Sequence, residues 1–213
     1  WTNLTENHRL GILKHELLHI AFGHLSTVFK FGDRKLANVA MDMEINQYIQ
    51  EGWLPGDEYT KEEYDELVNS YKEKITTGLK NQTLTEEQAL ALQKEIPLRG
   101  ILIEDYADSN LDLKAGCRYY YDKLLEAKDK KDKNGSSGDS NMDELLDSLE
   151  NGEGPDHSSW SDFENMSESE EKLINKQLQK LLSDAKEQTV KKRGTVPGEI
   201  EGLIEIEEIV PPK

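Results

Sequence analysis

The chain is poor in cysteine and in long apolar runs. Its 213 residues include one cysteine, Cys117. One cysteine cannot form an internal disulfide, and the absence of any C-x-x-C spacing excludes a thiolate metal site of that kind. We expect Cys117 to be a small buried apolar residue. No apolar run approaches the ~18–20 residues of a membrane span, so the sequence predicts a cytoplasmic protein with no membrane partner.

Basic residues are scarce as well. Twenty-six lysines and arginines stand against 43 aspartates and glutamates, which gives a formal net charge of −17. Such a surface repels the phosphate backbone of nucleic acids and anionic lipid headgroups. The composition therefore argues against a nucleic-acid partner and favours a protein or peptide partner, with basic or extended chains attracted most strongly.

Apolar residues recur at helical spacing through most of the chain, which predicts a mainly α fold with α+β as the alternative. Residues 6–31 are expected to form one long, largely buried helix, and residues 34–50 a second helix packed against it. Thr85-x-x-Gln88 resembles a capping box that begins a further helix. The best strand candidate lies in 98–109.

The same patterns divide the chain into three parts. Residues 1–127 are expected to form the core, with a helical insertion at about 57–96. Residues 128–152 are charged and rich in glycine and serine, which predicts a flexible linker or surface loop. Residues 153–213 are expected to be a helical part that packs back on the core. The ends at Trp1 and Lys213 suggest a piece of a longer protein from which a partner domain is missing.

The stretch 14-KHELLHIAFGHLSTVFKF-31 carries the clearest chemical signal. His15 and His19 are four residues apart, so both imidazoles leave the same face of a helix, as two ligands of one Zn²⁺ must. Glu16 lies between them and becomes the candidate general base that acts on a water molecule. The alternative is a chance placement of these three residues on a buried helix.

A catalytic zinc needs a third protein ligand, and the second helix supplies the leading candidate. Asn38, Asp42 and Asn46 form one polar stripe on an otherwise apolar helix, and buried polar groups need partners. We predict Asp42 as the third ligand, with Asn38 and Asn46 as orienting groups. Glu44 points away from this stripe and is an alternative ligand.

His24 is another alternative ligand. On a continuous helix it would lie on the opposite side from His15, so it joins the site only if the helix breaks at Gly23. Three adjacent tyrosines, Tyr119 to Tyr121, are expected to pack in the core, although one of them could donate a hydrogen bond to substrate.

Several separated blocks resemble a known family, the putative metallopeptidase domain of bacteria and phages, which is often found upstream of a von Willebrand A-like domain. The blocks are 15-HELLHIAFGH-24, 38-NVAMDMEIN-46, 121-YDKL-124 in outline, 156-DHSSW-160 and 193-RGTVPGEIEGLI-204. The resemblance implies a zincin-like fold and a zinc metallopeptidase with His15 and His19 as ligands, Glu16 as the catalytic acid, and Asp42 at the place of the family's helical aspartate.

The pair Asp156-His157 is the remaining polar candidate. In zinc peptidases similar to thermolysin a distant histidine stabilises the oxyanion, so His157 is assigned that catalytic role, with metal ligation as its alternative. The alternative to a peptidase is a non-catalytic, zinc-stabilised interaction module, and hydrolysis of a non-peptide bond is a third possibility.

Overall fold

The computed structural model describes residues 4–96, 99–151, 157, 160, 164 and 166–193. Within them the fold is helical and contains no strand, which confirms the mainly α prediction. The α-helices are α1 Glu6–Ala21, α2 His24–Thr27, α3 Arg34–Asn46, α4 Lys61–Lys80, α5 Glu86–Gln93, α6 Cys117–Asn134, α7 Ser140–Glu150 and α8 Glu168–Arg193, with 3-10 helices at Val28–Lys30 and Ile103–Ser109. None of the helices described has an apolar stretch long enough to cross a bilayer.

Helix α3 is the centre of the core. Asp33 caps its first turn by accepting hydrogen bonds from the backbone of Lys35 and Leu36. A helix that is apolar around most of its circumference must be buried on most sides, and α3 packs against both α1 and α6. Its buried apolar residues are Leu36, Ala37, Val39, Ala40, Met41, Met43 and Ile45. The few polar side chains of α3 are thereby held in fixed positions.

The predicted helix over 6–31 is wrong in its continuity and in its burial. It ends at Ala21, and Gly23 takes a left-handed conformation with φ 70° before α2 begins at His24. Leu13 and Leu17, expected to be buried, are 53% and 55% exposed. Helix α1 buries only a narrow face, which includes Gly11, Leu18 and His19.

The backbone of α1 lies very close to the backbone of another segment at Gly11. A Cβ atom at this position would lie 1.9 Å from the backbone oxygen of Trp53. Only glycine lets the two backbones meet at this distance. The contact fixes the N-terminal half of α1 against the segment that follows α3.

The strand predicted in 98–109 is also wrong. Residues Ile103–Ser109 form two short 3-10 turns joined by a kink at Tyr106, and the backbone N–H of Asp105 donates to the carbonyl of Leu102 at 3.2 Å. The carbonyl of Ile101 accepts from the side chain of Asn46. Local bonds and a side chain therefore satisfy backbone groups that a strand would have paired with a neighbouring strand.

The linker predicted over 128–152 is replaced by helices. Helix α6 continues to Asn134, and α7 follows after a short turn. Asp139 caps α7 by accepting from the backbone N–H of Met142 at 3.0 Å. Apolar side chains of α7 at Met142, Leu146 and Leu149 are buried in the core. The segment is acidic on average, but its few apolar residues lie on one face of α7, and that face is buried.

The structure describes helices both in the predicted insertion at 57–96 and in the predicted C-terminal part at 153–213. Helices α4 and α5 fall within the predicted insertion at 57–96 and pack against each other. Thr85 and Gln88 form the predicted capping box. Helix α8 contacts α1. Residues 152–156 and 194–213 lie outside the described residues, so the domain boundaries stay predictions.

Candidate metal centre

His15 and His19 lie side by side on α1. Their Nε2 atoms are 3.0 Å apart, and their ring centroids are 4.6 Å apart. The His19 side chain is fully buried, and that of His15 is 14% exposed. The spacing of four residues thus brings the two imidazoles together at the inner face of α1, where α1 packs against α3.

Asp42 reaches the same point from α3. Its Oδ1 atom lies 3.1 Å from Nε2 of His19 and 3.7 Å from Nε2 of His15. The side chain is 8% exposed. The polar stripe on α3 therefore faces α1, and its middle residue meets both histidines.

His157 joins the group from a segment 115 residues further along the chain than Asp42. Its Nε2 atom lies 3.2 Å from Oδ1 of Asp42. The ring stacks on Trp160 with centroids 4.1 Å apart, and Trp160 in turn meets His19 edge-on at 4.8 Å. Trp160 is 7% exposed, so one buried indole forms an apolar wall beside two of the imidazoles.

The four donor atoms fit a single tetrahedral metal ion. All of them lie within 4.8 Å of one another. Bonds of about 2.0–2.1 Å to a tetrahedral zinc place ligand atoms about 3.3–3.4 Å apart. The separations given above, 3.0, 3.1, 3.2 and 3.7 Å, bracket that value. Imidazole nitrogens with a carboxylate oxygen are also a donor set that suits zinc.

Asn46 fixes the orientation of His15. Its Oδ1 atom lies 2.7 Å from Nδ1 of His15, while its Nδ2 group donates to the carbonyl of Ile101 at 2.8 Å. Because the amide nitrogen is committed to a carbonyl, the amide oxygen must face the imidazole, and Nδ1 of His15 must donate. This assignment leaves the lone pair of Nε2 pointing at the other donors, as metal binding requires.

The charges at the site are consistent with a bound cation. Burial lowers the pKa of His19 from 6.5 to about 4, against the opposing effect of Asp42, so its imidazole is neutral near pH 7. Burial would raise the pKa of Asp42, but hydrogen bonds to His157 and His19, together with the charges of His15 and His157, lower it by more, and the net pKa lies well below its usual range. A neutral imidazole and an ionised carboxylate are the forms that ligate metals.

Glu16 is not one of the converging donors. Its side chain is exposed. One residue step turns a helix by about 100°, so Glu16 leaves α1 beside the histidine face rather than from it. Its position allows contact with a group that approaches the site from solvent.

The alternative ligands His24 and Glu44 lie behind His19 instead of among the four donors. The helix does break at Gly23, but the break turns His24 towards the other nitrogen of His19, with Nδ1 atoms 2.9 Å apart. Nε2 of His24 lies 3.1 Å from Oε2 of Glu44. Both residues therefore surround a ligand candidate without reaching the common centre.

The remaining candidates have other roles. The hydroxyl groups of Tyr119, Tyr120 and Tyr121 bond backbone groups of the surrounding loops. Asn38 has a buried Oδ1 atom with no hydrogen-bond partner among the residues described. Asp156 lies outside the described residues. The contact of Trp160 with the imidazoles was not predicted from the sequence, although its place three residues after His157 was the available signal.

Comparison with known proteins places the chain in a family. The family model described as a putative metallopeptidase domain matches residues 1–213, so the chain belongs to that family and the resemblance is confirmed. No curated protein and no solved structure matches the chain.

Proposed function

We propose that this member of the putative metallopeptidase family is a zinc-dependent peptidase that hydrolyses peptide bonds. The observation that carries the proposal is the convergence of His15, His19 and Asp42 from two packed helices, with nitrogen and oxygen donors 3.0–3.7 Å apart. These three residues would hold the metal. Glu16 would act as the general base.

Zinc in such a site supplies a Lewis acid for the scissile carbonyl and lowers the pKa of a bound water to ~7. The chain's own residues do the rest. Glu16, exposed beside the ligand face, takes a proton from the attacking water and returns it to the leaving amine. Asn46 holds His15 in place through its bonds to Nδ1 and to the carbonyl of Ile101. The substrate must approach from the solvent side, because α3 closes the other side.

The role of His157 distinguishes a catalytic zinc site from a structural one. Its Nε2 atom shares the position of a fourth ligand, and a site with four protein ligands is typical of structural zinc. This observation favours a second candidate function, a zinc-stabilised interaction module. In the peptidase, His157 is dispensable for metal binding and stabilises the oxyanion. In the structural module, it is a permanent ligand.

Zinc content and peptide cleavage, measured together, separate the two. We expect the wild type to carry one zinc and to cleave unstructured peptides, basic ones fastest because of the net charge of −17. Glu16→Gln should keep the zinc and lose turnover, while Glu6→Gln, an exposed glutamate on the same helix, serves as the matched control. Cleavage by Glu16→Gln at the wild-type rate would remove the general-base assignment.

His157→Ala tests the fourth ligand. The peptidase proposal expects this variant to retain zinc and to lose about 10²–10³-fold in turnover, because the oxyanion donor is removed. A structural site expects loss of zinc and of folded protein, with no cleavage by any form, including the wild type. His15→Ala should lose zinc under both proposals and reports that the assay detects metal loss.

A further inference from the structure

A chain of buried polar groups leads away from His19 on the side opposite to the four donors. Nδ1 of His19 lies 2.9 Å from Nδ1 of His24, and Nε2 of His24 lies 3.1 Å from Oε2 of Glu44. The same oxygen accepts the backbone N–H of Cys117 at 2.9 Å. His24 is 1% exposed and the Glu44 side chain 12%, so these groups have each other rather than bulk water as partners.

The position of each proton along this chain follows from hydrogen-bond chemistry. Glu44 lies at the N-terminus of α6, where the helix dipole favours a carboxylate, and a carboxylate only accepts. Nε2 of His24 must therefore carry a proton. Nδ1 of His24 lies 2.9 Å from Nδ1 of His19 and is placed to accept a hydrogen bond from it. A His19 that binds a metal through Nε2 carries its proton on Nδ1, and this chain supplies the acceptor for that proton.

We infer that His24 and Glu44 are positioning residues that hold His19 in the tautomer able to bind a metal. The inference rests on the proposed metal site. The competing tautomer places the proton on Nε2, from which it can bond Oδ1 of Asp42 at 3.1 Å. That arrangement blocks the lone pair that a metal needs. Glu44 acts through His24 to disfavour it, as carboxylates near metal-bound histidines do.

The same residues suggest a rival interpretation, a second metal held by His24, Glu44 and Cys117, whose donor atoms lie within 4.8 Å of one another. One observation favours the hydrogen-bonded chain: the nearer oxygen of Glu44 already accepts the backbone N–H of Cys117.

The first test is nitrogen-15 NMR of the imidazole rings in the zinc-loaded full chain, which reports which ring nitrogen of each histidine carries a proton. We expect a proton on Nδ1 of His19 and on Nε2 of His24. A His19 proton on Nε2, or a doubly protonated His24, would overturn the inference. This measurement does not depend on catalysis, so it stands even if the chain proves not to be a peptidase.

The second test is zinc affinity, measured by competition with a chelator for variants at position 24. His24→Leu removes the acceptor and should weaken zinc binding by about 10–100-fold. His24→Asn keeps an acceptor oxygen near the place of Nδ1 and should restore most of the affinity. Val28→Ala, a buried residue next to α2, is the control for lost packing and should leave affinity unchanged.

The results separate the possibilities. Wild-type affinity in a folded His24→Leu variant, or an equal loss in Val28→Ala, would refute the positioning role. Binding of two zinc ions per chain, with the second lost in Cys117→Ser, would establish the rival metal site instead. A wild type that binds no zinc would refute the proposed function and, with it, the positioning role, whereas zinc binding that is unchanged in His24→Leu would refute the positioning role alone.

Discussion

Replacing Asn46 with leucine tests whether the orientation of His15 controls metal binding. Asn46 is 6% exposed and lies between two partners, accepting from Nδ1 of His15 at 2.7 Å and donating to the carbonyl of Ile101 at 2.8 Å. Leucine has a similar size and can make neither bond. The substitution therefore removes both bonds and leaves the imidazole free to rotate or to change its tautomer.

The size of the effect follows from those two bonds. A buried polar group that loses its partner costs about 1–3 kcal/mol, and the added apolar contact of leucine offsets part of this. We expect a net loss of about 2 kcal/mol in the free energy of unfolding of the metal-free chain. Loss of an orienting bond to a metal-bound histidine weakens metal affinity by about 10–100-fold, which is about 1.4–2.7 kcal/mol.

The assay is a zinc competition titration combined with chemical denaturation of the metal-free chain. Asn38→Leu is the matched control, because Asn38 lies on the same stripe of α3 and its buried oxygen has no partner in the described part of the chain. We expect Asn38→Leu to bind zinc like the wild type and to be at least as stable. Unchanged zinc affinity in Asn46→Leu would refute the claim that Asn46 orients His15.

Three further predictions concern the metal, the cysteine and the approach of α1 to its neighbour. Free zinc at 100 times its dissociation constant should stabilise the fold by about 2.7 kcal/mol, which corresponds to a rise of about 5–11 °C in melting temperature. A chelator should abolish this rise. Scanning calorimetry of the wild type and of His15→Ala measures the effect. Because burial raises the pKa of Cys117 to about 12, iodoacetamide at pH 8 should alkylate the folded chain far more slowly than the urea-unfolded chain, as mass spectrometry can follow; equal rates would contradict the burial. Gly11→Ala places a methyl group 1.9 Å from the backbone oxygen of Trp53 and should destabilise the fold by about 1–3 kcal/mol in urea titrations, while a stable variant would mean that the two backbones separate easily.

Much of the metal centre could be predicted from local sequence. Residues four apart on a helix share a face whatever surrounds the helix, so His15 and His19 meet. The stripe of Asp42 and Asn46 on an apolar helix had to face polar partners, because buried polar groups need them. Capping signals are equally local, and Thr85 with Gln88 forms the expected box.

Composition was a poor guide where one face of a helix differed from the rest. Helix α7 lies in an acidic segment that predicted a flexible linker, yet three apolar residues at helical spacing suffice to bury one side of it. The prediction for Leu13 and Leu17 was wrong in the opposite direction. Their spacing fits a buried helix, but both side chains are exposed. Whether an apolar face is buried depends on the presence of a neighbour, which periodicity does not reveal.

The sequence by itself determined that α1 and α3 are helical and that His15 pairs with His19, because both depend on contacts within one or two turns. Only the tertiary structure decided what surrounds that pair. His157 approaches from 115 residues beyond Asp42, and the break at Gly23 turns His24 towards the outer nitrogen of His19 rather than towards the donors. Contacts between segments distant in sequence depend on the packing of the whole chain, which leaves no regular spacing in the sequence.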